Sequence, residues 1–169
     1  ARWMTKRWPI EKFAVVAHKA MRQFGFSVVI LGSKGEMPVA NELQTLLHGF
    51  ASRKAVLNLT GQTTLKKLSE VLSSVDVVVT NDSGPMHLAA GLGTSVLGVF
   101  TCTNPTISGP PGEQHELVAT QVACAASYKK ICPHSGRMHL CCMDELSTER
   151  VCSALVRLIE KRQLHSRAA

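Results

Sequence analysis

The chain has 169 residues, 45% of them apolar and 18% charged, with a formal net charge of +7. That mass and apolar content suit a single folded domain over 1–169 and exclude a disordered chain. No apolar run approaches the roughly 18 residues that cross a bilayer, no secretory signal is read, and aromatic platforms for nucleic acid are scarce.

The periodicity predicts helices and strands in alternation. Phe13, Val16, Ala17, Ala20 and Met21 place a helix over 9–23, with Gly25 as its terminating cap. A strand follows over 27–31, then the loop Gly32-Ser33-Lys34-Gly35. Leu43, Leu46 and Leu47 mark a second helix over 38–48. A short strand over 56–59 leads into Thr60-Gly61-Gln62. Thr64 or a neighbour caps a third helix through residue 73, with Leu65, Leu68, Val71 and Leu72 as its apolar stripe. A strand over 76–80 follows. Its run Val77-Val78-Val79 lacks polar alternation, as in a strand covered on both faces. A helix over 86–92 and a strand over 95–100 complete the alternation. Residues 101–115 read as a loop, 116–119 as a last strand and 121–143 as a cysteine-bearing loop. Ser147 caps a final helix that turns Val151, Leu155, Leu158 and Ile159 inward. The β-α-β order implies right-handed crossovers and a parallel sheet in a Rossmann-like α/β/α three-layer sandwich.

The segment Thr80-Asn81-Asp82-Ser83-Gly84-Pro85-Met86-His87 is the richest in chemistry. Asp82 and Ser83 are capping types, Gly84 permits a close backbone approach, and Pro85 suits a first helical turn. A helix that opens at the carboxyl end of a parallel strand points free N–H groups and its positive dipole end into a crevice. That geometry binds phosphate. A nucleotide or sugar-nucleotide site is therefore expected. Lys and Arg gather near the start (Arg2, Lys6, Arg7, Lys12), at Lys66-Lys67, at Lys129-Lys130 and between Arg157 and Arg167. This basic surface favours phosphate ligands and a membrane surface over nucleic acid.

The stretch 81–90 resembles the signature of the heptosyltransferase family, glycosyltransferase family 9. Lys6-Arg7-Trp8-Pro9 resembles the Lys-x-Trp-Pro segment that opens the family's C-terminal domain. Gly32-Ser33 with Glu36 resembles its Gly-x-x-x-Glu turn, and Gly61 with Thr63-Thr64-Leu65 its Gly-x-Thr-x-Leu segment. The resemblance implies the donor-binding half of a two-domain GT-B enzyme. The sequence is then expected to be part of a longer protein whose N-terminal domain carries the base and most acceptor contacts. It also implies inverting transfer of heptose from ADP-heptose to a lipid A–core acceptor of lipopolysaccharide, without a metal, in the cytoplasm at the inner membrane face. Alternatives are another nucleotide-sugar donor and a non-catalytic nucleotide-binding domain.

On that resemblance, Lys6 stabilises the leaving diphosphate, and Thr5 adds a hydroxyl contact. Asp82 orients the donor sugar, while Ser83, Gly84 and His87 lie at the diphosphate. Glu36 binds ribose hydroxyls, Ser33 reaches the nucleotide, and Thr63, Thr64 and Leu65 line the adenine pocket. Family members often read Phe-Gly-Pro-Thr after the last of these strands, where this chain has Phe100-Thr101-Cys102-Thr103. Many also carry Cys-x-x-Cys-x(4)-Cys followed by Cys-Met. Here the second cysteine is Ser127. A zinc set would then be Cys124, Cys132 and Cys142 with His134, His139 or Cys141, and the alternative is reduced thiols in an irregular loop.

Overall fold

The computed structural model describes residues 1–49 and 55–168, with side chains up to residue 164. Residues 50–54 and 169 of the expected single domain, and the side chain of Arg167 in the basic tail, lie outside the described residues. The chain divides into two compact units. One comprises Ala1–Trp8 with Ser69–Ala169, the other Pro9–Leu68.

The second unit holds α1 (Ile10–Phe24), β1 (Val28–Ile30), α2 (Met37–His48) and β2 (Val56–Asn58). Pro9 stands at the N-cap of α1. Gly25 ends the helix in the left-handed region at φ 70°, and its N–H bonds the Met21 carbonyl at 3.1 Å, as the terminating glycine is expected to do. β1 and β2 pair in parallel, Val28 opposite Val56 and Ile30 opposite Asn58. Their core is Ala14, Ile30, Ala40, Leu47 and Val56, with Met21, Leu43 and Leu46 packed against it. The leucines read for α2 and, from the stripe read for α1, Ala17 and Met21 thus pack over this strand pair. Asn58 Nδ2 fastens β2 to α2 through Asn41 Oδ1 at 3.3 Å and Gln44 Oε1 at 3.2 Å.

α3 (Leu65–Ser74) begins in that unit and ends in the first. Thr64 Oγ1 accepts from the Lys67 N–H at 3.2 Å, which is the expected cap. Leu72 is buried, but Leu65 at the head of the predicted apolar stripe is 72% exposed.

The first unit is built on a parallel ladder in the order β3 (Val77–Asn81), β4 (Ser95–Phe100), β5 (Glu116–Ala119). Every residue of β4 is buried, whereas Val77 to Val79 of β3 are only half-buried. The strand covered on both faces is therefore β4. It has a ladder partner on each side, and α4 (Gly84–Gly91) and α7 (Thr148–Ala168) both contact it. Val151, Leu155, Leu158 and Ile159 of α7 are at most 2% exposed, and Ser147 Oγ accepts from the Arg150 N–H at 3.3 Å. Thr94 Oγ1 donates to the Leu72 carbonyl at 2.7 Å, which ties the end of α3 to the start of β4.

Two stretches read as loops carry short helices. α5 (Pro105–Ser108) has Asn104 as its N-cap, accepting from the Thr106 N–H at 2.9 Å, and Pro105 in its first turn. Both are ordinary helix-start signals compressed into one turn. α6 (Cys141–Glu145) interrupts the end of the cysteine segment. Its Glu145 Oε2 accepts from Thr120 Oγ1 at 2.6 Å and the Gln121 N–H at 3.0 Å, and its Oε1 accepts from Arg150 at 2.7 Å. Arg150 also donates to the Ala119 carbonyl at 2.7 Å.

Candidate functional site

In the first unit the site forms where β3 ends and α4 begins. The Asp82 N–H bonds the Val99 carbonyl at 3.2 Å, extending the β3–β4 ladder by one residue. This backbone anchor sets the direction of the Asp82 side chain. The carboxylate is 6% exposed, and its Oδ2 accepts from Lys6 Nζ at 2.6 Å and from Thr103 Oγ1 at 2.7 Å. Asp82 is therefore not the cap of α4. The N-cap is Ser83, in extended backbone and without a side-chain cap bond. Its hydroxyl lies 3.2 Å from that of Thr80. Pro85 fills the first turn of α4, and a Cβ built on Gly84 would meet nothing within 4 Å. The mouth of the helix is thus open at its most exposed backbone. His87, one turn along, is also exposed.

Lys6 reaches Asp82 because Trp8 anchors the short 3-10 turn Met4–Lys6. The Trp8 ring is 2% exposed. Its indole N–H donates to the Leu146 carbonyl at 3.0 Å, and its backbone N–H donates to Asn81 Oδ1 at 3.1 Å. The Lys6 ammonium also lies 4.6 Å from the centre of the Trp3 ring, a cation–π distance. Thr5 is buried, and its hydroxyl donates to the Lys129 carbonyl at 2.7 Å rather than facing the open mouth.

Sequence reasoning missed Thr103 and the wall around it. Thr103 is 3% exposed and occupies the fourth position of the stretch whose second and third residues depart from Phe-Gly-Pro-Thr. The match at that position was the available signal. Thr101 Oγ1 donates to the Thr5 carbonyl. Cys102 between them is buried. Burial, with the Asp82 charge adding to it, pushes its thiol up against the opposing pull of Thr5 and Lys6. Tyr128 closes the loop from outside. Its N–H donates to the Cys102 carbonyl at 2.8 Å, and its hydroxyl accepts from the Asn104 N–H at 3.3 Å and lies 3.1 Å from Ser108 Oγ.

The second unit brings together the turns that follow its two strands. The Gly61 N–H donates to the Gly32 carbonyl at 2.9 Å. Gly61 has φ +72°, and a Cβ there would come within 3.1 Å of Lys34 Cα. Its glycine is required both by conformation and by that close approach. Glu36 Oε2 accepts from the Ser33 N–H and the Ser33 hydroxyl, each at 2.8 Å. Burial works to raise the Glu36 carboxyl and the Ser33 bonds pull it down; the net result lies below its ordinary value. Glu36 is thus an ionised acceptor at neutral pH, at the carboxyl end of a parallel strand. Thr64 and Leu65 are exposed, and Thr63 half-exposed, in the turn that leads into α3.

Cys124, Cys132, Cys141 and Cys142 influence one another electrostatically. Burial and then the neighbouring thiols, Cys124 first, raise Cys141 and push Cys142 up to about 11. Cys141 and Cys142 are therefore protonated thiols at neutral pH. Among the described residues no group of three or more His, Cys, Asp or Glu is placed to hold a metal ion, so Cys124, Cys132 and Cys142 are not assembled as a ligand set. No helix among the described residues is long and apolar enough to cross a membrane.

Comparison with known proteins adds independent findings. The family model for glycosyltransferase family 9 (heptosyltransferase) matches residues 1–137. Lipooligosaccharide heptosyltransferase 2 of Campylobacter jejuni is 32% identical over 161 residues, covering 94% of this chain and 48% of that protein. The lipopolysaccharide core heptosyltransferase OpsX of Haemophilus influenzae is 36% identical over 116 residues, covering 68% and 32%. The structure of Escherichia coli ADP-heptose lps heptosyltransferase II superposes with a TM-score of 0.74 at 22% identity, over 94% of this chain and 44% of that one. A family 9 glycosyl transferase of Veillonella parvula gives 0.74 at 24%, over 95% and 44%. These structures share the parallel-sheet α/β fold. The chain spans about half the length of the C. jejuni relative.

Proposed function

Because the chain belongs to glycosyltransferase family 9, we propose that it is the donor-binding part of an inverting heptosyltransferase with a GT-B architecture. Its donor in this proposal is ADP-heptose and its acceptor a lipid A–core hydroxyl of lipopolysaccharide. The relatives' names supply the sugar and the acceptor class, and the name of an E. coli structural neighbour supplies the nucleotide. The observation that carries the proposal within this chain is the Lys6–Asp82–Thr103 cluster at the open mouth of α4.

In the reaction an acceptor oxygen bonds to the anomeric carbon while the bond from that carbon to the diphosphate oxygen breaks. The acceptor proton passes to a base in the other half of the protein, and ADP leaves with the bonding electrons. Negative charge therefore grows on the diphosphate. Lys6 meets it with a full positive charge, and the N–H groups at Ser83 and Gly84 add the dipole end of α4. That is the electrostatic work a bound cation does elsewhere, so the proposed transfer needs no metal. His87 stands one turn along, at the same diphosphate. Asp82 accepts from the sugar hydroxyls and fixes the anomeric carbon toward the acceptor. Thr103 positions Asp82 through its hydrogen bond, and Thr5, tied by Thr101 and to the Lys129 carbonyl, holds the turn that carries Lys6. In the second unit we assign Glu36 and Ser33 to the ribose, and Thr63, Thr64 and Leu65 to the adenine. The setting proposed is the cytoplasmic face of the inner membrane, where a phosphate-bearing acceptor meets the basic surface.

Calorimetric titration with ADP, UDP and GDP tests the proposal. A preference for ADP is expected. Preference for UDP or GDP would replace the donor, and no binding by the chain or by the longer protein would refute nucleotide binding altogether.

A further inference from the structure

One surface of the first unit takes no part in holding the donor. Arg2, Trp3, Met4, Lys130, Ile131 and His139 are among the residues that line a concavity of about 440 Å³. Large apolar side chains stand out in it, Ile131 at 82% exposed and Met4 at 63%, and Met138, the residue before His139, is 54% exposed. The same two stretches of chain carry the exposed cations Arg2, Lys129, Lys130 and Arg137, of which Arg2 and Lys130 line the concavity. Neither residues 1–10 nor residues 117–143, the two segments that supply this surface, contain an Asp or a Glu.

The surface is held in shape. Thr5 Oγ1 pins the Lys129 carbonyl, and the Lys130 ammonium lies 5.6 Å from the centre of the Trp3 ring. Ala126, Tyr128 and Leu140 hold left-handed backbone at φ 60°, 54° and 52°. Such conformations in non-glycine residues persist only where the surroundings over-determine them. Exposed apolar side chains on a preformed basic surface differ from an ordinary solvated face, which presents charge alone. A protein interface concentrates apolar groups and depletes lysine at its centre, whereas here the two are interleaved. Single-stranded nucleic acid needs free aromatic faces, and Lys6 and Lys130 already cover the Trp3 ring. Apolar side chains among cations match the boundary of a bilayer, where acyl chains take the first and anionic headgroups the second.

We propose that this face docks the protein on an anionic lipid bilayer. Met4, Ile131 and Met138 enter the acyl boundary, while Arg2, Lys129, Lys130 and Arg137 meet the lipid phosphates. The proposal rests on the membrane-surface part of the function proposed above, and none of the side chains that it puts against the bilayer is assigned to the donor.

The test is co-sedimentation of the chain with vesicles of phosphatidylcholine alone and of equimolar phosphatidylcholine and phosphatidylglycerol. Binding is expected to the second and not the first, and to weaken as salt screens the charges. Each cation near such a surface contributes about fivefold to partitioning, so the variant K129Q/K130Q/R137Q should lose about 100-fold. The variant I131S/M138S should lose about tenfold or more. Both variants should keep the thermal melt and the ADP affinity of the parent chain. Equal partitioning on the two vesicle types, or unchanged partitioning of either variant, would overturn the proposal. So would displacement of the vesicles by a short oligonucleotide. Vesicle binding without ADP binding would remove the donor assignment and leave the docking face standing; the converse result would do the opposite.

Discussion

The Lys6–Asp82 pair makes a prediction with two separable parts. Asp82 is 6% exposed and Lys6 18%, at 2.6 Å. A charge pair near a protein surface attracts by about 4 kcal/mol at 4 Å, most of which desolvation takes back. A net coupling of about 2 kcal/mol follows, in the range of a charge-assisted hydrogen bond. Lys6→Met strands a buried carboxylate on Thr103 alone and should cost about 2–3 kcal/mol. Asp82→Asn strands an ammonium that reaches water and should cost about 1 kcal/mol. The double variant should lose less than the two together, and urea denaturation at neutral pH measures the difference. Additivity within about 0.5 kcal/mol would refute a coupled pair. The second part concerns ligands. Asp82→Asn releases Lys6, so ADP affinity should hold or rise while affinity for the nucleotide sugar falls. Lys6→Met should weaken both by about tenfold. Calorimetry with the two ligands separates the roles, and equal losses of ADP and nucleotide sugar in Asp82→Asn would refute the orienting role of the carboxylate.

Other regions yield sharper single outcomes. His115 is buried, and its Nδ1 accepts from the Val96 N–H at 3.2 Å; burial holds its pKa below the ordinary 6.5. Below that value the unfolded chain takes up a proton that the folded chain refuses. Stability should therefore fall with pH from 6.5 down to the folded pKa, by at most about 1.4 kcal/mol per unit. His115→Asn should flatten that part of a urea-midpoint profile, and an unchanged slope would place the titration elsewhere. Trp8→Phe removes the indole N–H that donates to the buried Leu146 carbonyl and should cost about 1–3 kcal/mol in the same assay; a neutral result would mean that the bond contributes nothing net. Gly98→Ala puts a Cβ 2.9 Å from Phe100 Cε2 and 3.0 Å from Leu117 Cδ2. About 1–3 kcal/mol of overpacking is expected, seen as a lowered melting temperature.

The elements with strong local signals were legible in the sequence. Residues 95–100 and 116–119 form strands at those bounds, and Thr64 and Ser147 cap the helices they precede. The Val77–Val79 run was misleading because an apolar run reports strand propensity but not ladder position. Centrality went instead to β4, whose neighbours come from residues on both sides of it in the chain. α5 was hidden because one helical turn has no period to detect. At the site, Asp82 was visible as a special acid, but its partners were not. Lys6 and Thr103 approach it from opposite directions along the chain, and no spacing rule links residues 6, 82 and 103. The same long-range bonding moved Asp82 from cap to ion pair. Leu65 sits in phase with the α3 stripe yet stays exposed, since periodicity identifies a face and not what covers it.

Arg150 has a consequence for the order in which the chain can fold. Its guanidinium grips the carbonyl at the end of β5 and, through Glu145, the two residues after it. Those bonds fix the third strand of the ladder, but Arg150 sits at the start of α7, some thirty residues downstream of it. β5 therefore waits, with its end untied, until α7 emerges and closes on β4 and β5. A nascent chain halted at about residue 147 should remain sensitive to protease and slow to acquire structure, because the entropy of bringing that distant helix back must be met before the ladder is secured.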